Sequence, residues 1–388
     1  FPSRRKWAIS SFLLQSTKTY IIVESRKVKK VERREYFTLR LYGLRLYDFT
    51  TLRLMIRIAI NGFGRIGRNL FRLLLNHPNI EVIAINDIAD KKTMAHLVKY
   101  DSIHGVLPQA VSNDEKGILV DGNHFLFFHE KNISNLDWKS LDIDYVVEST
   151  GKYKTFEELN SHIIAGAKKV ILSAPSEIDT IKTVVLGVND FILDGTETII
   201  SNASCTTNNS APMIKVINEL CGIEQAYITT IHSYTTDQSL HDQPHKDLRR
   251  ARGASQSIVP TTTGAAKALT KIFPEFEGKI GGCGIRVPVP DGSLTDITFN
   301  VKRAVTINEI NSAFKAASQT TLKGILDYTE DPIVSVDVIG NKNSCIFDAQ
   351  LTSVIDKMVK VVGWYDNEIG YSSRIIDLIL LTDMKNNS

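Results

Sequence analysis

A glycine-rich turn between two apolar segments constrains the fold of this chain most strongly. The short apolar run 56–61 is followed at once by Gly62, Gly64 and Gly67, which lead into the amphipathic run 68–75. In a G-x-G-x-x-G turn the first glycine permits the bend, the second lets the backbone approach a pyrophosphate, and the third allows close helix packing. This setting predicts the first strand-turn-helix unit of a Rossmann domain, with an ordinary glycine-rich turn as the alternative.

A carboxylate follows where such a unit holds a ribose. The second apolar run, 81–85, ends at Asn86 and Asp87, and Asp87 lies 20 residues beyond Gly67. An aspartate here can accept hydrogen bonds from both hydroxyls of an adenosine ribose and would repel a 2′-phosphate. The sequence therefore predicts NAD, rather than NADP, as the cofactor.

Helical and strand patterns keep alternating up to residue 172. Strands that alternate with helices predict a parallel sheet whose ligand lies at the carboxyl ends of the strands. The turn 149–151 and Ser173 fall at two such ends, where they line the dinucleotide or serve simply as turns. The spacings Thr155-x-x-Glu158 and Thr306-x-x-Glu309 are typical of capping boxes and predict two helix starts.

Cys205 is the candidate nucleophile. It follows the apolar run 198–200 and a set of small polar residues, and it opens a predicted helix. A thiol at a helix N-terminus lies among unpaired N–H groups and the positive end of the helix dipole, so its pKa is expected to fall. The same N–H groups suit an oxyanion or a phosphate. A buried structural cysteine is the alternative reading.

His232 is the candidate base. It ends the predicted strand 227–231 and lies 27 residues after Cys205, a distance that accommodates a helix and a returning strand. We therefore expect the two side chains to lie side by side, with a structural histidine as the alternative.

Two further features suggest anion binding. Thr263 and Gly264 precede a predicted helix, which is a small-residue start suited to an anion. Arg286 lies within an apolar strand, where a guanidinium pairs with a carboxylate or binds an anion through its planar fork. The anion is favoured because hydroxyl-rich helix starts accumulate in the same half of the chain. The polar segment 235–258 is too long for a mere connector, and such loops are commonly functional or interfacial.

Composition limits the class of protein. With 388 residues, two domains are expected, and 43% hydrophobic with 23% charged residues is typical of a globular protein. No apolar run approaches the roughly 20 residues of a membrane span. The cysteines have no C-x-x-C spacing, and Pro244 separates His241 from His245, so neither a disulfide framework nor a metal site is predicted.

The first 54 residues differ from the rest in charge. They hold 13 Lys or Arg and 4 Asp or Glu, which leaves 33 basic and 39 acidic residues in 55–388. We expect residues 1–54 to be an extension outside the fold, with Met55 as the functional start and a cytoplasmic location. One alternative is that these residues form a targeting peptide, which would imply an organellar location. Another is that they form an arm that binds nucleic acid. The acidic remainder offers no electrostatic attraction to nucleic acid.

The motifs together resemble a known enzyme family. The glycine turn and Asp87, the run S-N-A-S-C-T-T-N at 201–208, H-S-Y-T at 232–235 and W-Y-D-N-E-I-G-Y at 364–371 occur in the order found in phosphorylating glyceraldehyde-3-phosphate dehydrogenases. The resemblance runs from Met55 to the C-terminus. It implies a Rossmann-type, doubly wound α/β domain at 55–203 that a C-terminal helix, 367–388, completes. It also implies an α+β catalytic domain with a mixed sheet at 204–366, and a homotetramer.

The resemblance also implies roles for individual residues. Cys205 is the nucleophile and His232 its partner. The residues expected to hold NAD are Gly62, Phe63, Gly64, Arg65, Ile66, Asp87, Ser173, Asn367 and Tyr371. Those expected at the substrate phosphate are Thr235, Asp237 and Arg286, with Arg250 in the long loop that crosses a tetramer interface in the family. Those expected at the attacking inorganic phosphate are Ser204, Thr206, Thr263 and Gly264.

The implied reaction is the NAD-dependent oxidation of glyceraldehyde 3-phosphate to an acyl phosphate through a Cys205 thioester. One alternative is an erythrose-4-phosphate dehydrogenase, in which water releases the product. Another is a protein that keeps the fold for binding a nucleic acid or a protein partner and has no catalytic role. Asp237 next to a phosphate is unfavourable unless Arg286 or a water offsets its charge.

Overall fold

The computed structural model describes residues 55–386. The predicted extension 1–54 and the last two residues of the predicted helix 367–388 lie outside the described residues. Within residues 55–386 no helix has the length and apolar character needed to span a bilayer.

The strands and helices alternate through the first part of the chain and then give way to long antiparallel strands. The strands are β1 (Ile56–Asn61), β2 (Ile80–Asn86), β3 (Tyr100–Asp101), β4 (Gly105–Val106), β5 (Val111–Asn113), β6 (Gly117–Val120), β7 (Asn123–Phe128), β8 (Tyr145–Glu148), β9 (Lys169–Leu172), β10 (Lys182–Thr183), β11 (Ile199–Ser201), β12 (Ile223–Ser233), β13 (Val259–Thr261), β14 (Ile280–Val287), β15 (Ser293–Val301), β16 (Leu326–Thr329), β17 (Cys345–Asp348), β18 (Ser353–Ile355) and β19 (Met358–Tyr365). The helices are α1 (Arg65–Leu74), α2 (Lys91–Lys99), α3 (Phe156–Ile164), α4 (Cys205–Cys221), α5 (Ala265–Ile272), α6 (Ile307–Gln319) and α7 (Ile369–Asn386).

The first sheet has nine strands in the order β10-β11-β9-β8-β1-β2-β7-β6-β5. All pairs from β10 to β7 are parallel, and β6 and β5 complete one edge as antiparallel strands. Strand β1 lies between β2 and β8, so the strand order reverses there. A crevice at such a switch point, outside the carboxyl ends of the strands, is where ligands bind in open α/β sheets.

The second sheet has eight strands, ordered β13-β14-β12-β15-β19-β17-β16, with β18 paired to β19. Strand β12 pairs in parallel with β14 and antiparallel with β15, so the sheet is mixed. The predicted fold class, a doubly wound α/β part and an α+β part with a mixed sheet, is confirmed.

The last helix returns to the first sheet. Tyr371, Ile375 and Ile379 of α7 are buried in the same hydrophobic cluster as Leu70 of α1 and Ile58 of β1. A separate cluster packs α4 on the second sheet. The domain boundaries at residues 203 and 366 stay a prediction.

Both predicted capping boxes are confirmed. The Thr155 hydroxyl accepts from the Glu158 N–H, and the Thr306 hydroxyl accepts from the Glu309 N–H, while each glutamate bonds back to the backbone of its threonine. These starts fix where α3 and α6 leave their loops, because each box satisfies N–H groups that the helix itself leaves unpaired.

Candidate active site

Cys205 is the first residue of α4, and the turn that delivers it is tight. Ser204 caps the helix, its hydroxyl accepting from the Thr207 N–H at 3.1 Å. The residue before the cap, Ala203, is fully buried and has φ 55°, a left-handed conformation that costs a non-glycine residue about 1–2 kcal/mol. Strain of this kind persists only where the surroundings impose it, and it concentrates at functional sites.

Cys205 and His232 lie side by side. The distance between Cys205 Sγ and His232 Nε2 is 3.4 Å. His232 is near the end of β12, and its ring packs edge-on against Tyr365 with centroids 6.0 Å apart. The predicted proximity is confirmed, and the catalytic roles of the two residues stay a prediction.

Burial governs the ionisation of this pair. It raises the pKa of the Cys205 thiol, although the charge of Arg286 and the Thr206 N–H act in the opposite direction. The expectation of a lowered thiol pKa is therefore wrong, because the cost of desolvating the thiolate outweighs the N–H groups and the charge that favour it. Burial and then Arg286 lower the pKa of His232 to about 3.

Two groups compete for the other ring nitrogen of His232. The Ser233 carbonyl lies 2.8 Å from Nδ1, and Arg286 Nη1 lies 2.6 Å from Nδ1 and 2.9 Å from the same carbonyl. With a proton on Nδ1, the ring donates to Ser233 and Nε2 is free to accept a proton from Cys205. With Arg286 donating to Nδ1, the proton lies on Nε2 instead.

The hydroxyl of Thr206 is directed into the protein. It lies 3.0 Å from the Tyr365 hydroxyl, which also bonds Thr230 at 3.0 Å. An anion at the start of α4 would meet the N–H groups of the first turn and the Ser204 side chain, and the place of Thr206 at the inorganic phosphate stays a prediction.

Asp237 is offset by an arginine other than the expected one. Arg250 Nη1 donates to Asp237 Oδ2 at 2.6 Å, and Arg250 Nε donates to Thr261 Oγ1 at 2.9 Å. Burial acts to raise the pKa of Asp237, but the bonds from Arg250 and His245 outweigh it and hold the pKa low. Arg250 is thus engaged, and Thr235 begins the same partly buried segment.

The second predicted anion group lies at the start of α5. The Thr263 hydroxyl accepts from the Ala265 N–H at 3.2 Å. Gly264 is the N-cap, and no atom lies within 4 Å of the position that a Cβ would take there. The backbone is therefore open to an approaching ligand.

The glycine turn fits a pyrophosphate. A Cβ on Gly62 would lie 2.5 Å from the Thr150 nitrogen, and one on Gly67 would lie 2.2 Å from the Gly62 oxygen. A Cβ on Gly64 would meet nothing within 4 Å, and α1 has no side-chain cap. Two glycines thus close the turn against its neighbours, and the third leaves uncapped N–H groups facing open space, as an anion requires.

The side chains of the other residues in the turn make contacts within the protein. The Phe63 side chain is fully buried, and Ile66 packs on the same core. Arg65 is held by Glu368 and Asp101 at 2.5 and 2.6 Å. The part these three residues take in holding NAD stays a prediction.

The remaining predicted cofactor residues surround the same crevice. Asp87 accepts from the Phe63 N–H at 2.6 Å, so it lies beside the glycine turn. Ser173 follows β9, and its N–H donates to the Glu148 carbonyl. The Tyr371 hydroxyl donates to the Ala203 carbonyl at 3.1 Å, directly behind Cys205.

Asn367 lies between the two sheets. Its Oδ1 accepts from the Ser233 hydroxyl at 2.9 Å and from the Ser293 hydroxyl at 2.6 Å. Its neighbour Glu368 accepts from Arg65, from Asn69 and, at 3.0 Å, from His104. The segment is therefore fixed to both halves of the fold.

The sequence prediction missed Ser233, Ser293, Tyr365 and Glu368, which position the predicted residues. Three of them lie within the H-S-Y-T and W-Y-D-N-E-I-G-Y runs. These runs pointed to a functional segment but did not indicate what the three residues do. Ser293 had no signal, because its place opposite Ser233 arises only when β15 pairs with β12.

One group of three potential metal ligands occurs among residues 55–386, formed by His104, Asp291 and Glu368. Arg65 Nη2 lies 2.5 Å from Glu368 Oε2 and places a positive charge beside the group. Burial, together with Asp366 and Glu368, raises the pKa of Asp291 to about 8 and so favours its neutral form. The arrangement suits a polar contact between the two halves of the fold. That the protein has no metal site stays a prediction.

A pair of glycine variants tests the cradle. In Gly64→Ala the new methyl group would fill the space above the turn without touching protein, so we expect an unchanged melting temperature and a Kd for NAD raised about 10- to 100-fold. In Gly67→Ala the methyl group would meet the Gly62 carbonyl, so stability should fall as well. Calorimetry and thermal unfolding measure both quantities. Unaltered NAD affinity in Gly64→Ala would contradict the assignment.

Arg286→Gln tests the electrostatics of the pair. Removing the positive charge should raise the pKa of the Cys205 thiol further, because Arg286 favours the thiolate. The pH profile of Cys205 alkylation by iodoacetamide should therefore shift to higher pH. Arg303→Gln, which removes a charge beside Cys221, serves as the control. An alkylation profile that is unchanged in Arg286→Gln, or that moves to lower pH, would contradict the role given to Arg286.

Comparison with known proteins matches both halves of this fold. A family profile described as "Glyceraldehyde 3-phosphate dehydrogenase, NAD binding domain" matches residues 56–156, and one described as "Glyceraldehyde 3-phosphate dehydrogenase, C-terminal domain" matches residues 204–367. Glyceraldehyde-3-phosphate dehydrogenase of Geobacillus stearothermophilus is 51% identical over 325 residues, which are 83% of this chain and 97% of that protein. The Mycobacterium avium protein of the same name is 52% identical over 333 residues, which are 84% of this chain and 98% of that protein. The chain belongs to the glyceraldehyde-3-phosphate dehydrogenase family.

Proposed function

We propose that this chain oxidises glyceraldehyde 3-phosphate with NAD and inorganic phosphate to 1,3-bisphosphoglycerate, as a glycolytic enzyme. The observation that carries the proposal is the 3.4 Å contact between Cys205 Sγ and His232 Nε2, at a helix start beside a crevice built for a dinucleotide. The family membership and the names of the relatives support the same activity.

The first step adds the thiol to the aldehyde. As Cys205 Sγ forms a bond to the aldehyde carbon, its proton passes to His232 Nε2 and from there to the carbonyl oxygen. The contact of 3.4 Å between Sγ and Nε2 lets this proton move directly between the two side chains. The Cys205 N–H, at the start of α4, stabilises the negative charge that develops on that oxygen.

The second step needs a base and a firmly held acceptor. His232 Nε2 takes the hydroxyl proton of the thiohemiacetal while hydride leaves the same carbon, and a Cys205 thioester remains. NAD supplies the hydride acceptor at its nicotinamide ring. The Gly62–Gly67 turn would hold its pyrophosphate, Asp87 its adenosine ribose, and Asn367 its carboxamide.

The last step releases the product. Inorganic phosphate attacks the thioester carbon, the carbon–sulfur bond breaks, and the sulfur takes back a proton. Ser204, Thr263 and Gly264 are proposed to hold this phosphate, while Thr235, Asp237, Arg250 and Arg286 hold the phosphate of the substrate. Two separate anion sites position both reactants and so remove the entropy cost of bringing them together.

Variants of the pair test the activity. Cys205→Ser should abolish NADH formation in a folded protein, and His232→Asn should lower the rate by about 10² to 10⁴, the range for a positioned base. The assay follows NADH absorbance with glyceraldehyde 3-phosphate, NAD and phosphate, and circular dichroism checks folding. Near-normal turnover in Cys205→Ser would refute the assignment of the nucleophile. If the rate of NADH formation does not depend on phosphate and is higher with erythrose 4-phosphate, the alternative of an erythrose-4-phosphate dehydrogenase is favoured.

A homotetramer is part of the proposal. The long loop exposes apolar side chains, with Leu240 63%, Ile258 69% and Leu248 82% exposed. Exposed apolar groups clustered in one loop suggest a surface that another chain covers. Sedimentation equilibrium should therefore give the mass of four chains, and Leu248→Asp should shift the population to smaller species. A monomer at micromolar concentration would contradict this prediction.

A further inference from the structure

Ser233 directs each of its polar groups at the proposed catalytic machinery. It is fully buried at the end of β12, directly after His232. Its carbonyl lies 2.8 Å from His232 Nδ1 and accepts from Arg286, which also contacts Nδ1, at 2.9 Å. Its N–H donates to the Ser293 hydroxyl at 3.1 Å, and its own hydroxyl donates to Asn367 Oδ1 at 2.9 Å.

The two serine hydroxyls fix the rotation of the Asn367 amide. Ser293 donates to the same oxygen as Ser233, at 2.6 Å, so both lone pairs of Oδ1 are used. Nδ2 is then the group that remains to meet a ligand, and it can only donate. In this orientation Asn367 binds a carbonyl oxygen and offers nothing to an amino group.

We propose that Ser233 is a positioning residue that aligns the base and the nicotinamide-binding amide from a single backbone position, with Ser293 as the second support of the amide. The inference rests on the proposed function, since it assigns to Asn367 the carboxamide of NAD. Its backbone carbonyl orients His232, and its hydroxyl holds Asn367 with the amide nitrogen toward the cofactor. The rotation of the amide therefore selects the carbonyl oxygen of the carboxamide.

Ser233 contacts His232 through its carbonyl and Asn367 through its hydroxyl. A substitution that removes only the hydroxyl therefore separates its effect on Asn367 from its effect on His232. Ser233→Ala removes the hydroxyl and keeps the carbonyl, so His232 stays in place. With one donor lost, the Asn367 amide is free to turn and present Oδ1 to the ligand. In that orientation it accepts from the amino group of the carboxamide, which natural NAD has and its 3-acetylpyridine analogue lacks.

The test compares NAD with the 3-acetylpyridine analogue in Ser233→Ala. We expect the KM for NAD to rise about 3- to 10-fold, the loss of one neutral hydrogen bond, with a smaller change in kcat. The KM for the analogue should rise several-fold more, because a turned amide leaves its carbonyl oxygen without a donor. The rate of Cys205 alkylation and its pH profile should match those of the unsubstituted protein, since the carbonyl still holds His232.

Two further variants complete the design. Ser293→Ala removes the second donor and should give the same cofactor pattern, so the test survives if Ser233→Ala does not fold. Ser344→Ala is the matched control, because Ser344 is buried and its hydroxyl has no hydrogen-bond partner among the described residues. It should leave both KM values unchanged.

Three outcomes would overturn the inference: equal losses for NAD and the analogue, an unchanged KM in both serine variants, or slower Cys205 alkylation in Ser233→Ala. If the unsubstituted protein forms no NADH, the proposed function fails instead. The comparison then continues with Kd values for the two dinucleotides by calorimetry, where the same difference is expected.

Discussion

The contact between Cys205 and His232 depends on where two sheets meet. The thiol comes from the first residue of α4, immediately after the last part of the parallel sheet, and the imidazole comes from the end of β12 in the mixed sheet. Their meeting requires the left-handed turn at Ala203 and the packing of α4 on the second sheet. The remaining features of the site are arranged around this junction.

Burial and the charge of Arg286 act in opposite directions on the thiol of this pair. In a solvated site the N–H groups at the start of α4 and the charge of Arg286 would be the main influences on the thiol. Here burial outweighs them and raises the pKa of the thiol, and burial together with Arg286 lowers the pKa of the imidazole. The contact of the two side chains lets one proton move over a short distance as the new bond forms. The developing charge is then met by groups already in place, as electrostatic catalysis requires.

The segment between β19 and α7 connects this chemistry to the cofactor crevice. Asn367 bonds serines of the mixed sheet, and the next residue, Glu368, bonds Arg65 and Asn69 of α1. Helix α1 starts at the glycine turn that fits the pyrophosphate. One short segment therefore fixes the distance between the crevice and the thiol. Rigid support of this kind is what holding a reacting carbon near a hydride acceptor requires.

Much of this arrangement could be predicted from the sequence because its signals are local. The three glycines, Asp87 and the two capping boxes need only their neighbours in the chain, and the Cys205–His232 pair needed only a count of residues for a helix and a strand. What could not be predicted depends on residues distant in the chain. The pKa of Cys205 reflects burial between the sheets, Arg250 rather than Arg286 bonds Asp237, and Arg65 is held by Glu368, 303 positions away. Ser293 acquired a role only through the register of β15 against β12.

The most direct test of the account is a rapid-mixing measurement on the intact chain with glyceraldehyde 3-phosphate and NAD in the absence of phosphate. The account predicts a burst of about one NADH per chain, followed by near arrest, as expected when a covalent intermediate accumulates. Mass spectrometry of the quenched protein should then find an acyl group on Cys205, which added phosphate removes. No burst, or an acyl group on another residue while Cys205 stays free, would contradict the account.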